Sequence, residues 1–299
     1  GTGVTARDEA QGEQHATGGF ACTSVITGHA GHVHCMLAAK GQLFSASQDQ
    51  TVRVWGLQRE GFRHMAELSG HHGFVRTLAV SGGGALLFSG SQDKNIRVWD
   101  THTHVQLCAL PGHQEEVRAL AVHNDLLFSG SEDSTIKVWN IASLKCIRTL
   151  GGHTREEQKA SGGHTAAVFV LSVCGEPPVL ASGSRDHTVR LWDLTSLECK
   201  GPLGSPKAPG HLDGVTSFAA VGGQLYSGSR DCSIKHWSLT SAELLKTAHR
   251  AHDDWVRPPP PRGLVHPLQS QLRSRPPPSS PPRTSKPHCR PPHQVCSLA

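Results

Sequence analysis

Five times along this 299-residue chain a histidine is followed 20 or 22 residues later by an aspartate, and six residues after that by a tryptophan. The sets are His29, Asp49 and Trp55; His71, Asp93 and Trp99; His113, Asp133 and Trp139; His164, Asp186 and Trp192; and His211, Asp231 and Trp237. Histidine beside a carboxylate is the pairing of general acid–base chemistry, in which the carboxylate orients the imidazole that takes the proton. An active site needs that pair once, whereas here it recurs in five successive units. The repetition points to a structural use. A buried imidazole must be held in one tautomer with its polar atoms satisfied. An ionised aspartate in a turn can accept from it and from turn amides, and a buried indole N–H also needs an acceptor. Nothing in the chain offers a unique nucleophile, base or phosphate loop. We therefore assign no catalytic residue, no metal and no cofactor, and read the chain as a non-enzyme.

The elements that position these residues are short strands. Each tryptophan closes one phrase: FSASQDQTVRVWG, FSGSQDKNIRVWD, FSGSEDSTIKVWN, ASGSRDHTVRLWD and YSGSRDCSIKHWS. Four residues after each histidine stands Val33, Val75, Val117, Val168 or Val215, and an alternating segment follows, as in VRALAV. Alternation, a turn, LLFSGS, a tight turn holding the aspartate and TIKVW make three strands joined by two hairpins. A fourth strand follows the tryptophan, as in HMAELSG, VQLCALPG and KCIRTLGG, and in the fifth unit near Glu243–Thr247. The tryptophans lie 44, 40, 53 and 45 residues apart. A period near 40–45 with Gly-His upstream and Trp-Asp at the close is the signature of four-stranded propeller blades. The expected fold is all-β, a propeller of antiparallel blades over 20–257, starting near 28, 70, 112, 163 and 210. A disordered stretch over 1–19 precedes it and a Pro/Arg-rich tail over 258–299 follows.

On these motifs the chain resembles the WD-repeat family over about four-fifths of its length. The resemblance implies that in each blade the histidine, a strand serine, the turn aspartate and the tryptophan form one buried hydrogen-bonded set. The serine is one of the two that precede the aspartate, such as Ser129 or Ser131. Function is implied on one rim of the central channel, at a position after the valine that opens the first strand and at a position before the turn aspartate. The first set is His34, Arg76, Arg118, Phe169, Thr216 and Arg257; the second is Gln48, Gln92, Glu132, Arg185 and Arg230. Phe74 and Trp255 are rim aromatics.

Arg76, Arg118, Arg185 and Arg230 would converge at the channel mouth, and guanidinium forks suit carboxylate and phosphate oxygens. The arrangement is similar to phosphopeptide-reading propellers of F-box ubiquitin ligases, although Glu132 intrudes among the arginines. The repeat style also resembles propellers of RING/TRAF-type ligases and of myosin heavy-chain-type α-kinases. The function read from this is a non-catalytic interaction scaffold, recruiting a protein or an acidic or phosphorylated peptide. The alternative is the substrate-recruiting module of a ligase or kinase whose catalytic part lies elsewhere. The bland counterpart is that these arginines are ordinary solvated surface.

The units are irregular in two places. GGHT occurs at both 151–154 and 162–165, but only His164 lies 28 residues before its tryptophan, so 154–163 reads as a charged loop. GPLGSPKAPG at 201–210 reads as a loop as well. The ends are less regular still. FACTSVI at 20–26 looks like an outer strand. A sixth unit opens with His252, Asp253, Asp254, Trp255, Val256 and Arg257 and then meets four prolines, which cannot donate to a ladder. The expected ring therefore holds five blades and a truncated sixth and is incomplete. The 42 residues from Pro258 contain 13 prolines, text of a disordered tail with PxxP spacings at Arg275–Pro281, and it reads as a splice or read-through product.

The overall charge of +5 hides a division. Residues 257–299 carry six Arg, one Lys and no acid, so 5 − 7 leaves the repeat region at −2. A basic nucleic-acid surface is not indicated, and no apolar run of about 18 residues indicates a membrane span. The nine cysteines form no CxxC pair and read as reduced thiols of an intracellular protein, cytoplasmic or nuclear. The oligomeric state is not legible.

Overall fold

Five antiparallel sheets of four strands make up the computed structural model, which describes residues 25–58, 61–151, 162–204 and 210–249. Blade 1 comprises β1 (Val33–Ala39), β2 (Gln42–Ser47), β3 (Val52–Gln58) and β4 (Gly61–Leu68). Blade 2 comprises β5 (Val75–Val80), β6 (Leu86–Ser91), β7 (Ile96–Asp100) and β8 (Gln106–Leu110). In blade 3 are β9 (Val117–His123), β10 (Leu126–Ser131), β11 (Ile136–Asn140) and β12 (Lys145–Leu150). Blade 4 has β13 (Val168–Cys174), β14 (Val179–Ser184), β15 (Val189–Asp193) and β16 (Cys199–Pro202). Blade 5 has β17 (Val215–Val221), β18 (Gln224–Ser229), β19 (Ile234–Ser238) and β20 (Leu244–Ala248). Every sheet is a meander in chain order, and the first strands β1, β5, β9, β13 and β17 lie side by side.

Two expectations shift. Gly201 and Pro202 are the end of β16, paired with Leu191 and Arg190, and not loop. Proline is tolerated there because β16 is an edge strand, whose outer side owes no ladder hydrogen bond. Val25 and Ile26 are in no strand and are exposed; the rest of the segment 20–26, the loop 154–163 and the tail 258–299 lie outside the described residues, wholly or nearly so.

Packing follows from alternation. One face of each blade carries Phe or Ala, Val or Ile, Val or Leu, and Leu; the next blade answers with Val, Leu or Phe, Leu and Trp. Phe44, Ala46, Val52, Val54 and Leu68 of blade 1 thus meet Val75, Leu78, Leu87 and Trp99 of blade 2. Three further cores of the same kind join blades 2–3, 3–4 and 4–5. Backbone of adjacent blades comes close where β6, β10 and β14 each carry a glycine. A Cβ on Gly90, Gly130 or Gly183 would lie 2.7 Å from Cγ1 of Val117, Val168 or Val215 of the next blade.

The two outermost faces lack such partners among the described residues. Met36 of β1, opposite Ser45, is 36% exposed, against 5–8% for Leu78, Leu120, Leu171 and Phe218 at the same register. On the far side of blade 5, Tyr226, Ile234 and His236 are half-buried where their counterparts in blades 1–4 are buried. The described blades form an arc with two open ends.

Candidate functional site

The tight turn between the second and third strands of each blade brings the chemistry-bearing residues together. The residue after the aspartate is left-handed in every blade: Gln50, Lys94, Ser134, His187 and Cys232 have φ between 62° and 72°. None is glycine, so each turn costs on the order of 1–2 kcal/mol. The aspartate offsets this by tying the turn. In blade 3, Asp133 Oδ1 accepts from the Thr135 amide at 2.9 Å and from its hydroxyl at 2.6 Å. Asp133 Oδ2 accepts from the Gln114 amide at 3.0 Å and from His113 Nδ1 at 2.8 Å.

The hydrogen-bond directions fix the tautomer. Trp139 Nε1–H can only donate, and it does so to Ser129 Oγ at 2.8 Å. The Ser129 hydroxyl then donates to His113 Nε2 at 2.7 Å, and His113 Nδ1–H donates to the ionised Asp133. In this relay Nδ1 of the imidazole carries the proton that faces the carboxylate, and Nε2 faces the serine hydroxyl. The same relay runs through Ser45, His29 and Asp49; Ser89, His71 and Asp93; Ser182, His164 and Asp186; and Ser227, His211 and Asp231. Each is headed by its tryptophan at 2.8 Å. Ser129, not Ser131, is the relay serine of blade 3. Ser131 Oγ accepts from the Asp133 amide and donates to the Glu115 carbonyl.

Serine, histidine and aspartate in hydrogen-bonded series is also the arrangement of a hydrolase triad. Here the serine is shut in: Ser89, Ser129, Ser182 and Ser227 have no exposed surface, and their oxygens are capped by indole N–H groups. No reacting atom can approach. Burial pushes each carboxyl upward, but the donors, three on Asp93 and four on each of the others, outweigh it: Asp49 and Asp231 fall to about 2, and Asp93, Asp133 and Asp186 also lie well below the carboxylate range. Such carboxylates are poor bases.

Burial lowers the imidazole pKa of His164 and His211 from 6.5, their aspartates only partly opposing it. In the unfolded chain these histidines take a proton near 6.5 and in the folded one they do not. Stability is therefore full above pH 6.5 and falls as the pH drops through the window below it. A second loss follows as pH drops from about 4 towards 2 and Asp49 and Asp231 are protonated. Melting temperatures across pH 8 to 4 are expected to decline already between 6.5 and 5; a curve flat to pH 4 contradicts the neutral-histidine assignment.

At the channel mouth the proposed binding residues come together unequally. His34 is fully buried, 0% exposed, so it is not an accessible rim residue. Phe74 and Arg76 of the next blade cover it: the His34 and Phe74 rings are 6.2 Å apart, and Arg76 Nη1 lies 3.2 Å from His34 Nε2. Arg76 stacks on Phe74 at 5.2 Å and donates through Nε to Glu116, a carboxylate buried on the loop before β9. Arg118 donates to Glu132 at 2.9 Å and reaches the other oxygen of Glu116 at 3.4 Å. Arg76, Glu116, Arg118 and Glu132 thus alternate in sign and neutralise one another.

The opposite side of the mouth differs. Phe169 is buried at 6% exposure, and two guanidinium groups lie over its ring, Arg118 at 5.6 Å and Arg230 at 4.9 Å. Burial lowers the Arg230 pKa, Asp213 opposes the shift, and Arg118 and Arg185 lower it further, as charges sharing one locus must. Arg185 is exposed. Gln92 accepts weakly from the Phe74 amide at 3.5 Å, and Thr216 donates to the Gly228 carbonyl at 3.4 Å. Gln48 lines a shallow depression of about 550 Å³ with Ala30, Gly31, His32 and Phe74. Trp255 and Arg257 lie outside the described residues. Sequence reasoning missed Glu116 and the Thr, Asn or Ser two residues after each aspartate; the second signal was present, as Thr51, Asn95, Thr135, Thr188 and Ser233 recur at one spacing.

Meander blades side by side, each pinned by an inert polar relay, with diverse side chains gathered only at the mouth, define an interaction propeller. The family model "WD domain, G-beta repeat" matches residues 20–56, 62–100, 104–140, 144–193 and 204–238, and the chain belongs to this WD40 family. Proteins of this kind generally serve as non-catalytic scaffolds for protein interactions. WD repeat-containing protein 18 of Bos taurus is 46% identical over 55 residues, covering 16% of this chain and 13% of that protein. The Homo sapiens protein of the same name is 47% identical over 51 residues, covering 15% and 12%. The chain spans well under two thirds of the length of these curated relatives. Among solved structures, that of U3-55K has a TM-score of 0.64 at 25% identity, covering 76% of this chain and 67% of that one. The RRP9 WD40 repeats give 0.64 at 25% identity, covering 76% and 66%. The computationally designed Ika8 protein gives 0.60 at 27% identity, covering 77% and 65%. No helix among the described residues is long and apolar enough to cross a membrane.

Proposed function

We propose that the chain recruits a protein partner by holding an acidic or phosphorylated peptide segment at the channel mouth, on the side of Arg185 and Arg230. The observation that carries this is Arg230 laid over the buried Phe169 ring at 4.9 Å, with the exposed Arg185 close enough for its charge to lower the Arg230 pKa. A ring face fixes the plane of a guanidinium, so part of the ordering cost is met before binding. The mouth is not a broad positive field. Four arginines stand against Glu116, Glu132 and Asp213, a balance of 4 − 3 = +1, and Arg76 and Arg118 are occupied by the two glutamates. The recognised feature is therefore one anionic group with neutral or polar neighbours, not a run of acids. Joined to a ubiquitin ligase or kinase domain, the same rim would serve as the substrate-recruiting module.

The test is an array of peptides in matched phosphorylated, aspartate-bearing and neutral forms. The wild-type chain is expected to retain the anionic members, and the doubly substituted Arg185→Ala, Arg230→Ala chain to lose them. Equal retention by both chains removes the proposal.

A further inference from the structure

Five residues hold one equivalent place on the rim, each immediately before the turn aspartate of its blade. The backbone pins them alike: the amides of Gln48, Gln92, Glu132, Arg185 and Arg230 donate to the carbonyls of His32, Phe74, Glu116, Ala167 and Gly214, all between 2.8 and 3.0 Å. In blade order the side chains are two neutral amides, one acid and two bases, so the rim changes sign between blades 3 and 4. Arg118 holds the acid, but through one oxygen: its Nε and Nη2 both donate to Glu132 Oε1. Oε2 accepts from no donor among the described residues. Of this ion pair the acid is the more exposed member, its side chain 35% exposed against 17% for Arg118. The pair therefore presents an acceptor to solvent and keeps its cation behind.

We propose that the mouth reads a segment of mixed charge, in which a lysine or arginine two or three residues from the recognised anionic group donates to Glu132 Oε2. This rests on the reading that Arg185 and Arg230 hold the anionic group. Acid and bases share one locus, because Arg118 and Arg230 lie over the same Phe169 ring at 5.6 and 4.9 Å. An extended peptide advances about 3.3 Å per residue, so a few residues carry it from the bases to the acid. Glu132 also acts against the alternatives. A second acid in the peptide would meet its carboxylate, and the exposed Asp213 on the loop before β17 adds another negative charge beside Arg230. Like charges brought together in this way reject a run of acids, while one acid and one base find complementary partners.

Fluorescence anisotropy of the full chain with three labelled peptides tests this. Each peptide carries one phosphoserine in a background of Gly, Ala and Ser, with lysine, alanine or glutamate at the second and third residues on both sides. The wild-type chain is expected to bind the lysine peptide about fivefold more tightly than the alanine peptide, and the glutamate peptide most weakly. Glu132→Gln, which keeps an acceptor oxygen for Arg118, is expected to bind the lysine and alanine peptides alike. Equal affinity of the wild-type chain for those two peptides overturns the proposal, and so does a lysine preference that persists in Glu132→Gln. The underlying reading fails by a different result: the alanine peptide is then held no better by the wild-type chain than by Arg185→Ala, Arg230→Ala, and the mixed-charge proposal falls with it.

Discussion

Asp133→Ala is expected to lower stability by about 3–4 kcal/mol, a drop in melting temperature of roughly 6–15 °C. The loss is large because one carboxylate serves four donors: His113 Nδ1–H, the Gln114 amide, and the amide and hydroxyl of Thr135. His113 and Thr135 are buried, so their donors are left without water to replace the lost acceptor. The Gln114 amide is exposed and contributes little. The left-handed turn at Ser134 also loses the tie that offsets its strain. Thermal denaturation followed by circular dichroism measures the effect, with Asp133→Asn as the milder companion because it keeps one acceptor oxygen. A melting temperature unchanged in Asp133→Ala contradicts the relay in that blade.

Arg76→Ala is the second large effect, and it falls on stability more than on binding. Arg76 and Glu116 are an ion pair with side chains only 10% and 8% exposed. Removing the arginine leaves a buried carboxylate whose remaining cation is Arg118 at 3.4 Å, and it uncovers His34. Truncating one member of a buried pair costs about 3–5 kcal/mol; with Arg118 still in reach, about 2–3 kcal/mol is expected. Glu116→Gln in the same background is expected to recover most of it, since the stranded charge is then gone. Chemical denaturation of the single and double variants measures this; a double variant no more stable than Arg76→Ala contradicts the clamp.

These two sites differ in how far they could be read in advance. The relay was legible because its members recur at fixed separations along each unit, so the pattern of one blade vouches for the others. Choosing between Ser129 and Ser131 was not possible from spacing, since the two lie two residues apart on one strand face; only the reach of the Trp139 indole separates them. The rim positions were legible as places on strands but not as a charge arrangement. Glu116 reaches Arg76 across a blade boundary, and His34 is buried by side chains 40 and 42 residues later in the chain. Such pairings depend on how blades abut, which no local period encodes. Pro202 entering β16 shows the same limit: a loop-like composition sits in a strand because only the outermost position of a blade tolerates a missing donor.

The central claim is that Arg185 and Arg230, and not the arginines engaged with Glu116 and Glu132, hold the anionic group of a partner peptide. Fluorescence anisotropy with one labelled phosphopeptide retained on the array, titrated with the wild-type chain and with Arg185→Ala, Arg230→Ala, measures it most directly. Loss of two charge-assisted contacts predicts weakening on the order of 100-fold with the melting temperature preserved. An affinity within twofold of wild type contradicts the account.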